Sequence, residues 1–162
     1  MIMKKFLIFI MFLIGMNVQA QEVFNELRQK NKAITENPQS SGLVRSISQF
    51  KLDALNYLVI KMQEEMPDSS AYFLDSQAIA MNEYVTFYIQ KLVQYNEMPK
   101  ALQEDMTKMF METTKGNPLF KDKDKEMVLS YYNNGECLIR FSLDTNWEKA
   151  LVTIKKKMAK NE

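Results

Sequence analysis

Leu74, Ala78, Met81, Val85, Tyr88, Leu92 and Tyr95 recur at intervals of 4, 3, 4, 3, 4 and 3 residues. That spacing is one face of an α-helix. Phe73, Ala80, Tyr84 and Phe87 widen the face beyond a coiled-coil seam. A narrow polar stripe is left at Asp75, Asn82, Glu83, Thr86, Gln90 and Gln94. So broad an apolar surface predicts the central helix of a bundle over residues 70–96. Val44, Ile47, Leu55, Leu58, Met62 and Met66 predict a second long helix over 43–66, with Gln49, Asp53, Asn56 and Gln63 on its other side. Before it, Val23, Phe24, Leu27 and Ile34 predict a weakly amphipathic helix over 22–36, closed by the breaker at 37–42. Pro67, Asp68, Ser69 and Ser70 separate the two long helices and offer caps for the second.

Toward the C-terminus, Pro99 suits a helix start, and Leu102, Met106, Met109, Phe110 and Thr113 form its stripe. Gly116 reads as the residue just past its end. Residues 121–134 are ambiguous. The preferred reading is a short helix ending at Asn133–Gly135, with 136–143 as an extended connector. The alternative is a hairpin around Asn134 and Gly135, a good type I′ pair. Thr145 and Glu148 have the T-x-x-E spacing of a capping box, and Trp147, Leu151, Ile154 and Met158 stripe the last helix. Lys155, Lys156, Lys157 and Lys160 lie near its end, where cations suit the helix dipole. The fold class expected is all-α, an irregular antiparallel bundle of about five or six helices. An α+β form with the hairpin is the alternative.

The N-terminus has a different pattern. Lys4 and Lys5 precede an uncharged apolar run over 6–16, and Val18, Gln19 and Ala20 come next. Positive, apolar and small residues in that order form a secretory signal layout, with cleavage expected after Ala20. The run is about half of the roughly 20 residues a membrane-spanning helix needs. Gln21 stands where a lipoprotein would carry cysteine. The expected mature product is a single helical domain over 21–162 with no transmembrane segment, in the periplasm or secreted. Losing Lys4 and Lys5 leaves 19 basic against 20 acidic residues, a net charge of −1. Such a balance points to neither nucleic acid nor an anionic membrane.

Chemistry-bearing residues are sparse. The chain has no histidine and one cysteine, Cys137. That excludes Ser-His-Asp and Cys-His catalysis, His-bound metals and an internal disulfide. Cys137 reads as a buried, inert thiol. Ser48 and Lys51 match the S-x-x-K of penicillin-binding enzymes, but no Ser-Asp-Asn or Lys-Thr-Gly accompanies them, and a chance match on a helix is the expected explanation. Asp122, Asp124 and Glu126 alternate as calcium ligands would. An EF-hand loop needs Gly and Glu where Met127 and Asn133 stand, so they read as acids at a helix start. Glu64/Glu65 and Glu104/Asp105 are sequence neighbours on helix faces and read as solvating residues. No cofactor or metal is expected. Tyr131, Tyr132, Phe141 and Trp147 flank the least regular segment and are the candidate ligand or partner surface.

"FKLDALNYL" (50–58), "GNPLFKDKDKE" (116–126) and "FSLDTNWEKAL" (141–151) together resemble small exported proteins of unknown function from Bacteroides-type Gram-negative bacteria. The resemblance implies an exported helical domain in a diderm host and transfers no active site. The function expected is a non-catalytic binding or interaction module of the cell envelope, recognising a protein partner or an apolar ligand. Thirteen methionines and abundant aromatics suit such adaptable surfaces. The alternative is a small hydrolase acting on envelope glycan or peptide through two carboxylates.

Overall fold

The computed structural model describes residues 22–120 and 125–161. The segment preceding Glu22, with its expected cleavage point, and Asp122 and Asp124 lie outside them. The described residues form α1 (Glu22–Glu36), α2 (Gly42–Glu65), α3 (Ala71–Tyr95), α4 (Lys100–Lys115), α5 (Lys125–Asn133) and α6 (Trp147–Asn161), with no strand among them. The all-α reading holds. The hairpin at Asn134 and Gly135 does not form: Lys125–Asn133 is helical, and the residues beyond Gly135 are irregular, with no strand on either side of the turn.

The element with the widest apolar face is the hub. α3 packs against α1, α2, α4 and α6, while α1 also lies along α2, and α4 along α6. Helix starts obey local chemistry. Ser41 and Ser70 each accept a backbone N–H, from Val44 and Phe73 at 3.3 Å. The α1 start is capped from a distance: Phe24 N–H donates to the Asp75 carboxylate of α3 at 2.9 Å.

Two local expectations are corrected. Gly116 is the C-cap of α4 itself, right-handed at φ −78°, with its N–H on the Glu112 carbonyl. Nothing there demands a left-handed residue. The Thr145–Glu148 capping box is absent. Asn146 caps α6, its Oδ1 accepting from Lys149 N at 3.1 Å. Thr145 hydroxyl donates back to the Ser142 carbonyl at 2.5 Å, and Gln77 donates to Glu148 at 3.0 Å. The box fails because its two members bind partners outside the helix start.

Residues 136–143 are a connector, but an irregular one rather than the extended one expected: the chain turns at Glu136, bends at Leu138 and Leu143, and from Ile139 runs through the core rather than over it. Ile139, Phe141 and Leu143 are buried, and so are Ser142, Asp144 and Thr145 between and after them. A buried chain outside helices and strands must satisfy its backbone elsewhere. Thr114 Oγ1 accepts Ser142 N at 3.2 Å, and Leu138 carbonyl accepts the Tyr88 hydroxyl at 3.2 Å. The Asn117 carbonyl takes Asn146 N at 2.7 Å. Asp144 Oδ1 accepts both Leu119 N and Phe120 N at 2.9 Å.

Around this connector the aromatics meet mostly edge to face. Phe141 lies 4.9 Å from Tyr88, 5.3 Å from Tyr84 and 5.8 Å from Phe50, ring centre to ring centre. Such pairs add about 0.5–1.5 kcal/mol each beyond their buried area. Tyr84 reconciles its hydroxyl with full burial by donating to the Phe110 carbonyl at 2.7 Å.

Candidate functional site: a groove among the first three helices

The first three helices leave a groove of about 420 Å³ where their faces converge. From α1 it takes Leu27, Lys30, Asn31 and Ile34. From α2 it takes Val44, Ile47, Ser48 and Lys51, and from α3 Asn82, Val85, Thr86, Ile89 and Gln90. On every helix these positions fall at i, i+3, i+4 and i+7, so one stripe of each helix faces the groove. Unlike a core stripe, each mixes apolar with polar residues. The volume lies in the range of small-molecule sites, roughly 300–1,000 Å³.

Lys51 dominates the electrostatics. Its ammonium donates to Asn82 Oδ1 at 2.7 Å. Among the described residues no carboxylate pairs with it or with Lys30. Burial pushes the Lys51 ammonium below the usual lysine range, and the positive charge of Lys30 pushes it further the same way. Asn82 spends its oxygen on Lys51, which leaves its NH₂ as a donor. Asn31 anchors its own amide on the Leu27 carbonyl at 2.7 Å. Ser48 is buried beside Lys51, yet no hydrogen bond joins the two among the described residues. Nucleophile and base are thus not coupled as S-x-x-K chemistry needs.

The four aromatic residues singled out from the sequence are not brought onto one surface. Phe141 and Trp147 are fully buried and offer no area to a ligand in this conformation. Tyr131 is half-buried, edge-on to Phe50 at 5.4 Å, and its hydroxyl donates to Asp53. Burial, and then the Asp53 carboxylate, drive its phenol well above the ordinary tyrosine range. Tyr132 lies beneath the Lys115 ammonium at 5.1 Å. Burial chiefly raises its pKa too, with Glu112 adding to the shift.

Tyr131 lines a second groove of about 450 Å³ between α2 and α5, with Asp53, Ile60, Glu64 and Met127. Glu64 pairs with Lys61 at 3.0 Å along this groove, and Glu104 with Lys100 at 3.6 Å on an outer face. Glu126 is exposed in the first turn of α5. Cys137 is half-buried and free rather than enclosed. Among the described residues, no three Cys, Asp or Glu side chains gather as metal ligands would, and no helix is long and apolar enough to cross a membrane.

Sequence reading passed over Lys30, left Asn82 in the polar stripe of α3, and saw Lys51 only as half of a chance motif. A signal was present: polar residues stand among apolar ones at helical spacing, as Lys30 and Asn31 do between Leu27 and Ile34. No known family, curated protein or solved structure matches the chain.

Proposed function

We propose that the protein is an exported, non-catalytic binding protein of the bacterial cell envelope, and that the α1–α2–α3 groove receives its ligand. The observation that carries this is the convergence of three helical stripes, each part apolar and part polar, on one concave surface. Export is supported by the positive–apolar–small order up to Ala20, and a Bacteroides-type host by the stretches at 50–58, 116–126 and 141–151. The hydrolase reading finds less support. Asp53 and Glu64 share a groove but stand eleven residues apart on α2. That is about 16 Å along the axis, beyond the roughly 5–9.5 Å of a glycosidase pair.

Two measurements test the proposal. Mass spectrometry of the protein from its native host is expected to find Gln21 first; a chain retaining residues 6–20 would overturn export. A photo-crosslinking residue at Ile89, in the groove, is compared in the host with one at Val152, exposed on α6. Adducts concentrated at Ile89 support the groove as the binding site, and equal or absent labelling at the two positions overturns it.

A further inference from the structure

We infer that the groove binds a small amphiphilic carboxylate, with Lys51 and Lys30 holding the charged head and the apolar wall taking an alkyl tail. The inference rests on the binding reading and names its ligand class. Two ammonium groups face one concavity with only an amide oxygen beside the deeper one. Lys30 is exposed at the rim and Lys51 is half-buried, the like charge of Lys30 disfavours the Lys51 ammonium, and neither has a carboxylate partner among the described residues. An anion lodged between them supplies the missing counter-charge and accepts charge-assisted hydrogen bonds.

The Asn82 NH₂ adds a neutral donor at the same spot. One deep lysine and one at the rim match a single negative charge. The groove has no arginine, whose planar fork suits bidentate phosphate. Leu27, Ile34, Val85 and Ile89 then line a path for an apolar tail. A volume of about 420 Å³ suits a medium-chain ligand and not a lipid with two long chains.

Titration calorimetry of the purified protein with decanoate, decanol and decyltrimethylammonium tests this. Decanoate is expected to bind saturably, decanol about tenfold more weakly or worse, and the cation not at all. K51M is expected to lose about tenfold in decanoate affinity, and K51R to retain most of it. Far-UV circular dichroism checks that both variants stay helical. Equal affinity for decanol, an unchanged K51M, or binding to anionic phosphatidylglycerol vesicles without binding to decanoate overturns the inference. Groove-specific crosslinks in the host together with failure of decanoate would sink this ligand class and leave the binding reading standing. Absence of groove crosslinks would sink both.

Discussion

Lys51 and Tyr84 show how one side chain couples the interior to pH, with opposite signs. Lys51 has a folded-state pKa below its unfolded value of about 10.4. Between those two values the unfolded chain binds more protons, so Lys51 makes stability rise with pH there and then level off. The difference in unfolding free energy between wild type and Lys51→Met is therefore expected to climb up to about pH 10.4. Urea titrations across pH measure it, and a flat difference would contradict the burial of this ammonium. Tyr84 is shifted upward, chiefly by burial. It stabilises fully below its unfolded value of about 10, and that contribution is lost as pH rises further. Tyr84→Phe is expected to cost about 0.5–1.5 kcal/mol at neutral pH through the lost bond to Phe110, and to blunt the alkaline decline. The burial of Tyr84 is legible from its place on the broad apolar face of α3, whereas that of Lys51 is not, because lysines at the same spacing also occupy solvated faces.

Elements differ in what holds them. α5 has no fully buried residue; Val128 and Tyr131 pack on the core, and Tyr131 rests on Phe50 and bonds to Asp53. Tyr131→Phe keeps the ring and removes that bond. Amide exchange within Lys125–Asn133 is expected to accelerate several-fold, with global stability changed by less than about 1 kcal/mol. Acceleration throughout the chain would show instead that α5 is part of the cooperative core. α6 begins under tertiary control. Gln77, fully buried on α3, accepts Trp147 N at 2.7 Å and donates to Glu148. Gln77→Leu leaves the Trp147 N–H without its buried acceptor and is expected to cost about 1–3 kcal/mol in chemical denaturation. A helix beginning near Thr145 is legible from its stripe. Which residue caps it is not, since Thr145 and Asn146 are both good caps and distant partners choose between them.

For the molecule as a whole, the connector decides cohesion. Phe141 touches rings from α2, α3 and α4 at once. Phe141→Ala is expected to destabilise by about 3–5 kcal/mol, a large fraction of the roughly 5–15 kcal/mol typical of a domain. Trp147, the chain's only tryptophan, is buried against Phe50 and Tyr84. Its emission and the far-UV dichroism are expected to report a single coincident unfolding transition. Separate midpoints would mean that the helices outlast the aromatic core.

The linear order of residues by itself determined local matters: where each helix but α5 runs, which face is apolar, and that α3 takes the centre. Helical periodicity, serine caps and proline breaks act over a few residues and need no partner to be read. Only the tertiary structure decided the arrangements that join distant parts of the chain. It sent Phe141 and Trp147 inward, gave the α6 cap to Asn146 and its first N–H to Gln77, and set Lys30, Lys51 and Asn82 around one groove. Those outcomes depend on how three or four helices rotate against one another, and that rotation is set by summed packing that no single stretch of sequence carries.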